Sequence, residues 1–291
     1  MKKLSFILAV PILLAGTLSR AQEVHTPAFT DQIEGHGKPV ILIPGLGCSA
    51  EVWNGTVKHL TAQGFETHAL TLAGFGGVAP IHTADYLKTV RDDLASYIQQ
   101  NKLDHPVIIG HSLGGFVALW LAAAYPNLPS KVVSVDGLPY LAAIMNPAIT
   151  PEGAANMAAG IKKGIESGSA ESFESNERAT LATMITSPPN IDRELKVAMT
   201  SDRVTMGEAM AELMTTDIRP EMAKIKVPLL VLATWVAYKD YGVTHDSALA
   251  ADEKEFAADP ATKIVENDTS RHFIQLDAPD WFYSQLDTFL K

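Results

Sequence analysis

Residues Gly110-His111-Ser112-Leu113-Gly114 form a G-x-S-x-G run, a serine flanked by the glycines that a sharp turn needs. The preceding Pro106-Val107-Ile108-Ile109 is short, apolar and β-branched, which predicts a buried strand. The following Gly115 to Ala124 is apolar and helix-forming. A serine between such a strand and such a helix is lifted above the sheet edge, where backbone N–H groups of the helix N-terminus can bind an oxyanion. The chemistry expected is nucleophilic attack by the Ser112 hydroxyl. The plainer alternative is a glycine-rich turn whose serine only caps the helix.

A serine hydroxyl needs a base to take its proton, and the chain has nine histidines. His25 and His36 fall in early loops, and His59, His82 and His105 read as surface or helix-end residues. His111 adjoins Ser112, but one residue along a sharp turn its side chain should point elsewhere. His272 lies in Asn267-Asp268-Thr269-Ser270-Arg271-His272-Phe273, a loop between the last strand and the last helix. Such a loop can deliver an imidazole to Ser112. His245, which opens a late helix, is the alternative base. The single cysteine, Cys48, reads as a small apolar residue packing behind a loop rather than as a nucleophile.

These groups must be positioned by regular elements. Phe29 to Gly37 alternates in character with turn glycines and predicts an edge hairpin. Pro39 to Ile43 predicts a buried strand ending at Pro44-Gly45-Leu46-Gly47-Cys48-Ser49. A helix should follow from Glu51 to Gln63, and a strand from Glu66 to Leu72. Asp85 to Gln100 predicts an amphipathic helix with Tyr86, Leu87, Val90, Leu94 and Ile98 near one face. Lys131 to Asp136 is a further strand. Between about Leu138 and Glu221 the rhythm changes to Ala, Met, Glu and Lys with Pro and Gly breaks, which predicts a helical insertion. Its methionines, Met145 to Met214, suit either an adaptable apolar wall or core filling. Strand character returns at Val227 to Ala233. A helix over Asp246 to Ala258, a strand over Thr262 to Val265 and a helix over Asp280 to Leu290 complete the chain. Trp235 and Tyr238 are candidates for a pocket wall or for the core. Alternating strands and helices predict a mostly parallel sheet, which binds ligands beyond its strands' carboxyl ends.

The 291 residues suit one large α/β domain with an insertion. Met1-Lys2-Lys3, the apolar stretch Leu4 to Leu18 and the small residues of Ser19-Arg20-Ala21 read as a secretory signal peptide cut after Ala21, predicting export to the periplasm or beyond. The alternative is an uncleaved anchor. The net charge of −10 argues against nucleic acid or an anionic membrane as partner. One cysteine allows no intrachain disulfide. There is no H-E-x-x-H, zinc-type spacing or Walker loop, so no metal or cofactor is expected.

The chain resembles the α/β-hydrolase superfamily. The resemblance rests on the strand leading to Pro44-Gly45-Leu46-Gly47, the Gly110–Gly114 elbow, the helical insertion, and His272 before a terminal helix. It implies an eight-stranded, mostly parallel sheet with helices on both faces and a helical cap. On this basis residues 22–137 and 222–291 form the core and 138–221 the cap. It also implies the chain order Ser…acid…His and an oxyanion hole made by the backbone N–H groups of Leu113 and, in the first loop, Leu46. Many relatives carry His-Gly in that loop; Pro44 stands here instead, and the backbone donor can remain. The family usually takes its acid after the strand that here is Leu229 to Ala233, where Asp240 is available but about three residues late. A minority takes it from the preceding strand's end, where Asp136 sits. Asp136 is favoured, with Asp240 as the alternative acid and Asp268 behind both. The resulting expectation is a serine hydrolase of carboxylic esters or related acyl compounds. Lactone or amide hydrolysis, acyl transfer, cofactor-free peroxidase chemistry and a non-catalytic binding protein remain alternatives. Dehalogenase and epoxide-hydrolase relatives carry Asp where this chain has Ser112.

Overall fold

A computed structural model describes residues 26–291, apart from the side chains of 240 and 241; the expected signal segment lies outside the described residues. The strands are β1 (Phe29–Gly35), β2 (Lys38–Ile43), β3 (Phe65–Leu72), β4 (Val107–His111), β5 (Lys131–Val135), β6 (Leu229–Thr234) and β7 (Lys263–Asn267). They form one sheet in the order β1-β3-β2-β4-β5-β6-β7, parallel except for β1.

The helices of the two faces are α1 (Asn54–Ala62), α2 (Tyr86–Gln100), α3 (Leu113–Ala124), α9 (His245–Glu255), α10 (Ile274–Asp277) and α11 (Pro279–Leu290). Each central strand is apolar on both sides, because both faces are covered. Ile41 and Ile43 of β2 pack with Leu87, Val90 and Leu94 of α2 and with Phe116 of α3. Val40 and Leu42, one residue out of phase, pack on the opposite face with Trp53, Leu60 of α1, and Phe282 and Leu286 of α11. Fully burying one such aliphatic side chain is worth roughly 1.5–3 kcal/mol, and both faces of β2 draw on it.

Two expectations need correction. The described sheet has seven strands rather than eight. The expected hairpin over Phe29 to Gly37 is a single strand, β1, whose register runs Phe29↔Leu72 to Gly35↔Glu66 against β3. Seven residues are spent on that one strand, and the Gly35-His36-Gly37 turn passes the chain to β2, which pairs with β3 and β4 instead.

Between β5 and β6 the chain runs through α4 (Leu141–Met145), α5 (Pro151–Glu166), α6 (Ala170–Met184), α7 (Pro188–Ala198) and α8 (Arg203–Thr215). Helix α8 is anchored to the sheet's carboxyl end. Asp202 N–H donates to the Gly74 carbonyl (2.7 Å). The Glu212 carboxylate accepts from Leu87 and Lys88 N–H (2.7 and 3.2 Å), satisfying donors in the first turn of α2. Met206 and Met214 are buried, whereas Met145 is exposed. No helix among the described residues is long and apolar enough to cross a membrane.

Candidate active site

The turn between β4 and α3 puts Ser112 at φ 54°, ψ −118°, a backbone region that a residue with a side chain rarely occupies. Its N–H donates to the Val135 carbonyl (2.9 Å), and its carbonyl accepts from Phe116 N–H (3.0 Å). The hydroxyl makes no helix-capping hydrogen bond, so the capping alternative does not describe this serine. The two glycines of the motif have a steric cause. A Cβ on Gly110 would lie 2.0 Å from the Gly114 carbonyl oxygen, and one on Gly114 would lie 2.3 Å from that of Ile43. Helix α3 therefore starts against the backbone of β2 and β4, and only glycine permits that approach.

The neighbouring strand brings a carboxylate. Asp136 follows β5, with its N–H donating to the Leu232 carbonyl (2.7 Å). Its Oδ2 lies 2.5 Å from His272 Nδ1, and its Oδ1 accepts from Thr234 N–H at 3.3 Å. Both side chains are largely covered, at 16% and 14% exposure. With Nδ1–H given to the carboxylate, Nε2 of His272 is left as the acceptor.

The loop carrying His272 is braced from several sides. Asn267 Oδ1 accepts from the N–H groups of Thr269 (2.9 Å) and Ser270 (2.6 Å). The Thr234 hydroxyl reaches the Ser270 carbonyl at 2.6 Å. Arg271 N–H donates to Asp277 (3.0 Å), and Phe273 N–H donates to the Met184 carbonyl (3.2 Å). From the sheet, His111 Nε2 stands 3.1 Å from the His272 carbonyl.

The other candidates are placed apart from this pair. His245 sits 3.3 Å from Glu266 and 3.1 Å from Asp246. Asp268 accepts from Trp235 Nε1 at 2.9 Å, which assigns the Trp235 indole to that loop contact. Asp240 falls in the 3-10 turn Val236–Tyr241, and its side chain is outside the described residues.

The first loop abuts the elbow. Cys48 N–H closes a turn onto the Gly45 carbonyl (3.2 Å), and Gly45 is packed so closely that an added Cβ would meet His111 Nδ1 at 3.0 Å and Ser112 Cβ at 3.4 Å. Leu46 is thereby held beside the start of α3, where the N–H of Leu113 has no partner within its own helix. Cys48 is buried, and burial with the nearby Glu194 and Glu177 carboxylates pushes its thiol well up, keeping it neutral and inert.

Behind Asp136 lies an acidic cluster that sequence reasoning missed. Burial, with the charges of Asp136, Glu266 and Glu255, raises Asp252 to about 8. Burial likewise raises Glu266, whose carboxylate is 2% exposed and lies 3.3 Å from His245. Tyr238 is 45% exposed, so it is not a core aromatic; partial desolvation and the charges of Asp136 and Asp252 raise its phenol. Thr234 was also missed, and His111, expected to point away from Ser112, was not expected to reach the His272 carbonyl. A polar residue ending an otherwise apolar strand was the available signal for both. Two surface cavities, of about 680 and 420 Å³, are lined by other residues than Ser112, Asp136 and His272.

Comparison with known proteins bears on this geometry. Residues 40–285 match the model of the alpha/beta hydrolase family. A pimeloyl-[acyl-carrier protein] methyl ester esterase of Vibrio atlanticus is 27% identical over 209 residues, covering 69% of this chain and 76% of that protein. Among solved structures, an esterase from Exiguobacterium antarcticum superposes with a TM-score of 0.75 at 16% identity, covering 90% of this chain and 94% of the other. The enol-lactonase of Burkholderia xenovorans LB400 gives a TM-score of 0.72 at 20% identity, covering 90% and 96%.

Proposed function

Because the chain belongs to the alpha/beta hydrolase family, we propose that this hydrolase is a serine esterase acting on small carboxylic esters or related acyl compounds. The observation that carries the reading is the Asp136–His272 contact at the end of the strand adjacent to the Ser112 elbow.

In this mechanism His272 Nε2 takes the Ser112 proton as Oγ attacks the ester carbonyl carbon. The carbonyl oxygen becomes an oxyanion bound by the N–H groups of Leu46 and Leu113; one such donor is commonly worth about 3–4 kcal/mol in the transition state. The imidazolium, stabilised by Asp136, returns its proton to the departing alkoxide, releasing an alcohol and leaving an acyl-Ser112 ester. Water then attacks that ester with His272 again as base, and the carboxylic acid leaves. No cofactor takes part.

Helices α4–α8, within 138–221, serve as a cap shaping the acyl pocket over the core of 22–137 and 222–291; the anchoring of α8 over Gly74 and onto α2 supports this division. The Lys2-Lys3 and Leu4 to Leu18 pattern supports export with cleavage after Ala21, which N-terminal sequencing of the mature protein in cell fractions tests.

The deciding experiment combines a fluorophosphonate probe with short p-nitrophenyl esters. Wild type is expected to be labelled and to turn over, and Ser112→Ala to do neither. An unlabelled, folded wild type overturns the reading. Running lactones and amides beside the esters separates the chemistries that share this serine geometry.

A further inference from the structure

His111 is completely buried, at 0% exposure, between the two loops that meet at the elbow. Its Nε2 contacts the His272 carbonyl at 3.1 Å. A carbonyl oxygen only accepts, so the proton sits on Nε2 and Nδ1 is bare. Nδ1 is buried without a hydrogen-bond partner. On that side the ring touches the first loop, since a Cβ on Gly45 would come within 3.0 Å of Nδ1. The ring also packs edge-on against Trp53 and tilted against Phe273 and His272, with centroids 6.5, 4.5 and 4.7 Å away. One side chain thus spans from the oxyanion loop to the backbone of the residue carrying the base.

We propose that His111 is a positioning residue for His272, acting through its Nε2–H bond to the His272 carbonyl and its contact with Gly45 to set the spacing between base and oxyanion loop. The proposal rests on the serine-esterase reading for its kinetic consequence, though not for its geometry. A plain core filler would not need a polar ring here, because an apolar ring of similar size would pack equally well without leaving a bare nitrogen in the core. The neutral state also matters. Burial, with the adjacent imidazole of His272, holds His111 well below the usual histidine range, so it stays uncharged when His272 takes the serine proton. A lysine or arginine donor would place a cation beside the transient imidazolium. Displacing a reacting group by about 1 Å can cost a hundredfold in rate.

The test opposes His111→Phe, which keeps a ring and removes the donor, to His111→Gln, whose terminal N–H₂ can reach the same carbonyl. His111→Phe is expected to fold with a Tm near wild type, to lose about 100-fold in kcat with KM little changed, and to be rescued to within about tenfold by Gln at the same position. The measurement independent of turnover is the downfield proton resonance of the His272 Nδ1–H···Asp136 bond, expected to shift or broaden in the Phe variant and to return in the Gln variant. If the Phe variant does not fold, Gly45→Ala displaces the ring from the opposite side, and the same resonance change is expected. A Phe variant as active as wild type, or an unchanged resonance in the folded variants, overturns the proposal. A wild type that hydrolyses no ester and takes no probe overturns the esterase reading instead, and the resonance still decides the role of His111.

Discussion

The Thr234 hydroxyl lies 2.6 Å from the Ser270 carbonyl, while the Thr234 N–H lies 3.3 Å from Asp136 Oδ1. One residue at the end of β6 therefore braces both the loop that delivers His272 and the carboxylate that receives it. Thr234→Val keeps shape and removes the hydroxyl, leaving the buried Ser270 carbonyl without that donor. The expected cost is about 1–3 kcal/mol of stability, with kcat falling roughly tenfold through the displaced base loop. Thermal unfolding and ester turnover measure the two effects separately.

The choice between carboxylates is decided by substitution. Asp136→Asn retains the shape of the contact with His272 but favours the wrong tautomer, and should lower kcat by about 10⁴-fold. Asp240→Asn should stay within about tenfold of wild type. The reverse ranking in kcat would overturn the assignment of Asp136.

The elbow glycines predict a packing defect rather than a catalytic one. Gly114→Ala drives a Cβ to 2.3 Å from the Ile43 carbonyl oxygen and 2.6 Å from that of Pro44, both rigid backbone atoms. Overpacking of this kind costs about 1–3 kcal/mol or more. The variant should show a clear loss of Tm or accumulate as insoluble protein, whatever the substrate. Gly160→Ala on α5, where an added Cβ meets nothing within 4 Å, is the control and should unfold no earlier than wild type.

Asp252 sets a pH dependence of stability. Its carboxyl holds a proton in the folded state to about pH 8, whereas an unfolded aspartate releases it near 3.8. Between those values the folded state binds more protons, so stability falls as pH rises, and the loss is complete above about 8. Asp252→Asn removes this penalty. Its Tm should match wild type near pH 3.5 and exceed it by a margin that widens up to pH 8, reaching at least about 4 °C. His111 works in the opposite sense. Its folded-state value is depressed, so its contribution is full above about 6.5 and fades as pH falls below that. A Tm advantage of Asp252→Asn that shrinks as pH rises would refute the burial argument.

Much of this fold is written in local pattern. Tyr86, Leu87, Val90, Leu94 and Ile98 recur at helical spacing, and helix α2 runs over Tyr86–Gln100 with all five buried. The strand before Ser112 and the helix after it follow from a β-branched run and an alanine- and leucine-rich run on either side of a glycine-bracketed turn. Strand pairing was less legible. Alternation in Phe29 to Gly37 did not report burial, since six of the seven residues of β1 are exposed, nor which strand lies alongside: β1 pairs with β3 across the 29 intervening residues 36–64 rather than with its successor.

The chain by itself determined the strand–elbow–helix around Ser112, because a strained turn between a buried strand and a helix demands residue types that stand next to one another. It also limited the base to a loop histidine and the acid to a few carboxylates. Only the tertiary structure set Asp136 against His272, 136 residues away, and revealed Thr234, His111 and Asp252 around them. Those relationships depend on which strands are neighbours and where their ends fall. Such distances of a few ångströms are created by packing, and no spacing along the chain encodes them.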